Sequence, residues 1–85
     1  MEEEKPVLFS PHAKKKLRRL MKVGVSEEKV VETVRNPEKL VFGYFGRKVA
    51  QSELSLELLL RVVYEETDNK VLILTLYPSK RRRYK

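Results

Sequence analysis

Two different hydrophobic patterns divide the chain near Lys39. Before this point, apolar residues recur every three or four positions, as in Ala13, Leu17 and Leu20, which is the spacing of one face of an α-helix. After it, β-branched and aromatic residues fill segments that are separated by glycine or by short polar stretches, which is typical of β-strands. The pattern therefore predicts an N-terminal helical half followed by a sheet.

Capping signals set the limits of two helices in the first half. Ser10-Pro11 is typical of an N-cap followed by proline at the first helical position, and Gly24 suits the left-handed residue that ends a helix. The second helix begins after Ser26, where two glutamates complement the positive helix end. It stops at Asn36-Pro37, because the residue before proline is disfavoured in helical geometry.

Four strands are predicted after the second helix. Turn residues separate them into successive hairpins, which makes them antiparallel neighbours. Pro78 is expected to end the last strand, because proline cannot donate to the hydrogen-bond ladder. The predicted strands span residues 39–45, 47–54, 56–66 and 70–77. Residues 7–9 can form a further short strand before the first helix.

The predicted fold class is α+β, with two N-terminal helices packed on one face of a four-stranded antiparallel sheet. The chain has 85 residues, which is enough for one domain, so residues 1–85 are expected to form a single unit. We expect the charged ends, residues 1–6 and 80–85, to be flexible.

The charge balance indicates a polyanionic partner. The formal net charge is +7, and the cations are concentrated in the first helix and at the C-terminus. A heat-adapted surface with many ion pairs would explain the charge density, but it would not explain this one-sidedness. The two groups of cations are Lys14, Lys15, Lys16, Arg18, Arg19 and Lys22, and Lys80, Arg81, Arg82, Arg83 and Lys85.

Other features of the composition argue against several classes of protein. The chain contains no cysteine and one histidine, so a disulfide framework is excluded, a transition-metal site is not expected and no cofactor is implied. The start MEEEKPVLF is acidic where a secretory signal would be basic. No apolar run approaches the roughly 20 residues that span a bilayer, so we expect a cytoplasmic protein.

Arg61 lies in an apolar strand, Leu58-Leu59-Leu60-Arg61-Val62-Val63, where an unpaired guanidinium would be costly. In one interpretation it pairs with Glu53 or Glu57 across the sheet. In the other it rises from the open sheet face to bind phosphate, whose geometry the planar guanidinium matches. The sequence leaves both interpretations open.

His12 and two tyrosines also have two interpretations each. His12 in the first helical turn is either a neutral base near the sheet or a residue that hydrogen-bonds a strand carbonyl. Tyr77 and Tyr84 near the C-terminus either stack on bases or serve in packing. The chain contains no glycine-rich phosphate loop, paired-carboxylate site or nucleophile elbow.

Several longer stretches resemble the RelE/ParE toxin superfamily. They are FSPHAKKKLRRLMKVGVSEEKVVETVRNPEKL, GRKVAQ, LLLRVVYEE and VLILTLYPSKRRRYK. The similarity extends from Phe9 to Tyr84 and is greatest to small, uncharacterised bacterial and archaeal relatives. These share a histidine-alanine pair at the start of the first helix, a GVSEE start of the second and an RVVYE strand.

The resemblance implies a two-helix, four-stranded antiparallel fold and a toxin-type function. Superfamily members cut mRNA on the ribosome or inhibit DNA gyrase, and a partner antitoxin neutralises them. The ribonucleases among them use no metal and rely on lysine and arginine on the sheet and on a tyrosine near the C-terminus. The positions that match are Arg47, Lys48, Arg61, Arg82, Arg83 and Tyr84, whereas His12 matches the uncharacterised relatives only.

The leading hypothesis is a RelE-like protein that binds RNA, on or off the ribosome, and cleaves it by metal-independent attack of a 2′-hydroxyl. The alternatives are a non-catalytic nucleic-acid-binding module and a protein that docks an acidic partner, such as an antitoxin, on a basic face. The catalytic candidates are Arg61, Arg82, Tyr84, His12 and Lys48. The nucleic-acid-binding candidates are Lys15, Arg18, Arg19, Lys22, Arg47, Tyr77, Lys80, Arg81 and Arg83.

Overall fold

The computed structural model describes residues 5–81, and both predicted helices are present in it with the predicted caps. The hydroxyl of Ser10 accepts a hydrogen bond from the backbone N–H of Ala13 at 3.0 Å, at the start of α1 (Pro11–Met21). Ser26 caps α2 (Glu27–Arg35) in the same way. Gly24, in the connection between the helices, has the expected positive φ of 97°. The helix boundaries therefore follow from local chemistry.

The sheet differs from the predicted four-stranded antiparallel one. Within residues 5–81 it has five strands in the order β1-β5-β4-β3-β2, and β1 is parallel to β5. The other three pairs are antiparallel. The strands are β1 (Val7–Phe9), β2 (Lys39–Phe42), β3 (Arg47–Glu53), β4 (Leu58–Glu66) and β5 (Val71–Lys80), and a short 3₁₀ turn at Tyr44–Gly46 joins β2 to β3.

The prediction of four antiparallel strands was wrong because it left residues 7–9 outside the sheet. Val7, Leu8 and Phe9 pair with Val71, Leu72 and Ile73, which are far away along the chain. Hydrophobic alternation cannot show a pairing between segments so distant in sequence. As a result, β5 is an internal strand along its first three residues.

The last strand also continues beyond the residue that was expected to end it. β5 extends to Lys80, and Pro78 lies inside it, opposite Leu60 of β4. Proline is tolerated in a strand where its missing N–H would face an unpaired side. β1 pairs only as far as Ile73, so within residues 5–81 no strand pairs with the far side of β5 at Pro78. The prediction that Pro78 ends the strand was wrong.

Both helices pack on one face of the sheet, which we call the helix face. Ala13 and Leu17 of α1 and Val30 and Val34 of α2 belong to one buried cluster with residues of the three central strands. The strand residues of this cluster are Ala50, Leu60, Val62, Tyr64, Val71, Ile73 and Leu76. Burial of these apolar side chains stabilises the two-layer arrangement.

The opposite surface of the sheet, which we call the open face, carries the alternate residues of the same strands. Within residues 5–81, no helix lies against it. Its polar residues are Lys39, Arg47, Gln51, Glu53, Arg61, Glu65, Thr75, Tyr77 and Ser79. In the same part of the chain, no helix is long and apolar enough to cross a membrane.

Candidate nucleic-acid interface

Four residues form one row across the open face, each on a different strand. Lys39 of β2 is opposite Gln51 of β3, Gln51 is opposite Arg61 of β4, and Arg61 is opposite Tyr77 of β5. Directly opposite residues have Cβ atoms only about 5 Å apart, so their side chains can interact across the strands. The row therefore brings a cation, an amide, a guanidinium and a phenol together.

Arg61 is the centre of this row, and its neighbours fix the orientation of its guanidinium. It is buried, with 8% of its surface exposed. Its Nε–H donates to the hydroxyl of Tyr77 at 3.0 Å, and its Nη1 donates to the side-chain carbonyl of Gln51. We call Gln51, Arg61 and Tyr77 the Arg61 cluster. Hydrogen bonds from two sides hold the guanidinium plane against the sheet before any ligand arrives.

Arg81 lies beside the Arg61 cluster, in the next row. Its guanidinium forms an ion pair with Glu53 of β3, and its backbone N–H donates to the carbonyl of Glu57 at 2.9 Å. Glu53 is opposite Leu59, and Leu59 is opposite Ser79. The Arg81 side chain therefore crosses β4 above Leu59, which is only 5% exposed. Arg81, one residue of the C-terminal basic run, therefore lies on the open face.

Arg47 lies at the other end of the open face, near the β2–β3 turn. Its Nε is 3.3 Å from Glu65 of β4, and both side chains are exposed. An exposed pair of this kind contributes little to stability, so Arg47 can exchange its carboxylate for another anion at small cost. Together, Lys39, Arg47, Arg61 and Arg81 distribute four cations along one surface.

Two of the catalytic candidates lie away from Arg61. Lys48 is opposite Tyr64, and Tyr64 belongs to the helix-face core. His12 is exposed in the first turn of α1, which packs on the same helix face. The structure therefore does not bring His12 or Lys48 together with Arg61.

The proposed hydrogen bond from His12 to a strand carbonyl is not found within residues 5–81. Ser10 makes such a contact, because its hydroxyl donates to the carbonyl of Leu74 at 3.0 Å.

The predicted ion pair of Arg61 with Glu53 or Glu57 is likewise not found among residues 5–81. Glu53 binds Arg81 there, and the described partners of Arg61 are Gln51 and Tyr77.

Lys48 takes part in a second polar group, at the helix-face end of β4. Glu66 accepts hydrogen bonds from Lys5 at 2.8 Å and from Lys48 at 3.0 Å. These bonds lower the pKa of the Glu66 carboxyl below its ordinary value, the bond from Lys5 more than that from Lys48. Burial raises the pKa of the neighbouring Tyr64 hydroxyl. Both ammonium groups are thus held by one carboxylate.

The first-helix cations are on the outer surface of the helical layer. Lys15, Arg18, Arg19 and Lys22 are exposed, whereas Ala13 and Leu17 face the core. This cationic surface and the open face are on opposite sides of the two-layer domain, so the two groups of cations do not form one continuous surface.

Of the remaining C-terminal candidates, only Lys80 is among the residues that the structure describes. Lys80 is exposed at the end of β5, where it pairs with Leu58. Arg82, Arg83 and Tyr84 lie outside the described residues. Among residues 5–81, no group of three or more His, Asp or Glu side chains is arranged to hold a metal ion.

Sequence reasoning missed Gln51 and Lys39. Both lie in segments that were correctly predicted as strands, and alternation alone places Gln51 on the same face as Arg47. Their relation to Arg61 depends on the register of two hairpins, which the turn residues did not determine.

No protein-family model matches the chain, and no curated protein matches its sequence. A similar fold is found in the solution structure of the conserved hypothetical protein HP0894 from Helicobacter pylori, with a TM-score of 0.50 and 17% sequence identity. The alignment covers 88% of this chain and 94% of that protein. At this identity the similarity concerns the fold alone, and it extends over nearly the whole of both chains.

Proposed function

We propose that this protein is a RelE-like, toxin-type protein that binds single-stranded RNA on the open face of its sheet. The observation that carries the proposal is the Arg61 cluster, in which Gln51 and Tyr77 orient a buried guanidinium in the middle of that face. A planar guanidinium is well suited to bind a phosphate through two parallel hydrogen bonds. In this proposal one phosphodiester of the RNA lies over Arg61.

The surrounding residues support the same ligand. Lys39 and Arg47 are exposed cations on the same face, on the β2–β3 side of Arg61, and they would contact phosphates next to the central one. The half-buried ring of Tyr77 can stack on a base. An overall charge of +7 attracts RNA at long range. We place the protein in the cytoplasm, where an acidic antitoxin would cover the same cations.

The Arg61 cluster also provides groups for cleavage of the bound strand. The 2′-oxygen would attack the adjacent phosphorus, the bond to the 5′-oxygen would break, and a 2′,3′-cyclic phosphate would result. Arg61 would stabilise the added negative charge, and the Tyr77 hydroxyl would exchange a proton with the reacting oxygens. His12 and Lys48 take no part, because they are on the helix face.

The test is the salt dependence of RNA affinity, measured by fluorescence anisotropy with a labelled single-stranded RNA. Arg47→Ala and Lys39→Ala should each weaken binding and reduce the slope of log K against log salt by about 0.7 for each phosphate that is no longer neutralised. Both residues are exposed, so these variants should fold. Arg18→Ala and Lys22→Ala on α1 are the matched controls and should leave the slope unchanged.

A reversed result would support a second function. The exposed cations of α1 form a second positive surface, which favours a non-catalytic module that binds nucleic acid on its helical side. In that case Arg18→Ala and Lys22→Ala would reduce the slope, and the open-face variants would not. That outcome would contradict the proposed role of the open face.

A further inference from the structure

The turn between β2 and β3 presents an aromatic residue in an unfavourable backbone conformation. Phe45 has φ 60° and ψ 35°, and Gly46 after it has φ 73°. Two consecutive residues with positive φ are characteristic of a tight hairpin turn, for which asparagine followed by glycine is strongly preferred. A bulky residue such as phenylalanine is an outlier there, because its Cβ crowds the backbone.

Nothing in the core compensates for this strain. The side chain of Phe45 is 91% exposed, so burial of its ring does not stabilise the fold. The loop itself is closed by the backbone, where the N–H of Gly43 donates to the carbonyl of Arg47 at 2.8 Å. Asparagine would serve this turn better than phenylalanine. Strained residues without a structural benefit tend to occur at binding sites.

The charges around the turn indicate what kind of ligand the ring meets. Arg47 follows the turn directly on the open face, and Lys48, whose Nζ is 5.7 Å from the ring centre of Phe42, comes next on the helix face. Cores of protein interfaces are depleted in lysine, whereas single-stranded nucleic acids bind where aromatic rings alternate with cations. One exposed ring at a hairpin tip is enough to stack on one base.

The position of the turn connects it to the Arg61 cluster. Gln51 and Arg47 lie on the same face of β3, four residues apart, which corresponds to about 13 Å along a strand. Phe45 lies just beyond Arg47. A strand of RNA with one phosphate on Arg61 would pass Arg47 and reach the turn with a later nucleotide.

We propose that Phe45 stacks on an unpaired base of the bound RNA, at the end of a track that runs from Arg61 past Arg47. This inference rests on the proposed function, because it assumes RNA on the open face. Stacking on Phe45 would be a contact to a base, which the phosphate-binding residues do not provide. It requires a ligand with exposed bases, so duplex RNA would not make this contact.

The experiment compares RNA binding by the intact chain and by three variants. Phe45→Asn removes the ring and relieves the turn, Phe45→Trp keeps an aromatic ring, and Leu56→Asn makes the same change at another exposed residue, 89% exposed in the β3–β4 turn. The probe is a labelled single-stranded RNA, with a second probe that carries abasic residues. Thermal unfolding is measured for each variant.

Phe45→Asn should weaken binding of the intact RNA roughly five- to 150-fold, as expected for loss of one stacked base, without lowering the unfolding temperature. Phe45→Trp and Leu56→Asn should bind like the wild type, and the abasic probe should bind wild type and Phe45→Asn equally.

If Phe45→Asn binds RNA normally while Arg47→Ala binds it more weakly, the stacking role is wrong and the proposed function stands. If the wild type binds no RNA, both are wrong. Self-association that only Phe45→Asn abolishes, with RNA affinity unchanged, would also overturn the inference.

Discussion

Arg61 on β4 donates its Nε–H to the hydroxyl of Tyr77 on β5, and the two atoms are 3.0 Å apart. A neutral phenol thereby sets the direction of a buried cation in the middle of the sheet. The pair connects stability to the proposed function, because removal of the hydroxyl would leave one N–H of a largely buried guanidinium without this acceptor.

Tyr77→Phe should therefore lower both stability and RNA affinity. The free energy of unfolding, measured by urea denaturation, should fall by about 1.5–3 kcal/mol, as for other hydrogen bonds to charged groups. RNA affinity should fall because the guanidinium loses a fixed orientation. Tyr64→Phe is the matched control on the helix face and should keep RNA affinity. Unchanged stability in Tyr77→Phe would mean that the hydroxyl does not orient Arg61.

Arg61→Ala distinguishes cleavage from simple binding. If Arg61 stabilises the transition state, the single-turnover rate of RNA cleavage should fall about 10²- to 10³-fold, and affinity should fall much less. Addition of a chelator should leave the wild-type rate unchanged. Arg61→Lys should restore little activity, because an ammonium lacks the planar pair of donors. Equal losses of rate and affinity in Arg61→Ala would argue against a catalytic role.

Glu66→Gln should change how stability depends on pH. The hydrogen bonds from Lys5 and Lys48 lower the pKa of Glu66 in the folded protein below its ordinary value of 4.5. The carboxylate therefore stabilises the fold fully above that value, and this contribution is lost as the pH falls through the folded pKa. Wild type should be more stable than Glu66→Gln at about pH 7, and the difference should vanish at low pH.

The control for this measurement is Glu65→Gln. Glu65 faces Arg47 in an exposed ion pair, which should contribute little to stability at any pH. Urea unfolding of the three proteins between about pH 7 and pH 2 gives the comparison. If wild type is still more stable than Glu66→Gln at the lowest pH, the charge of Glu66 is not the cause of the difference in stability.

Ser10→Ala and Ser26→Ala are matched variants that test how α1 is attached to the sheet. Both hydroxyls cap a helix, but that of Ser10 also donates to the carbonyl of Leu74, the extra residue where the register of β4 and β5 shifts. Ser26→Ala should cost about 1 kcal/mol of unfolding free energy. Ser10→Ala should cost about 2–4 kcal/mol, because a bulge carbonyl also loses its donor. If urea denaturation shows that both variants lose the same unfolding free energy, the hydrogen bond from Ser10 to Leu74 does not contribute to stability.

Local patterns predicted the parts of the fold that depend on neighbours in sequence. Ser10, Gly24 and Ser26 act through adjacent backbone groups, so the helix limits could be predicted. The pairing of Val7 with Val71 depends on distant segments, and so does the row that joins Gln51 to Tyr77. Arg61 could be singled out as a polar residue in an apolar strand, but its partners required the register.

The parallel pairing of β1 with β5 has a consequence for how the chain folds during synthesis. The first strand of the chain can join the sheet only after residues 71–73 have left the ribosome. Until then α1 lacks Val71, Ile73 and Leu76, the β5 residues of the core cluster to which Ala13 and Leu17 of α1 also belong. Contacts between such distant segments slow folding, so we expect this part of the nascent chain to stay open until β5 is complete and then to close in one cooperative step.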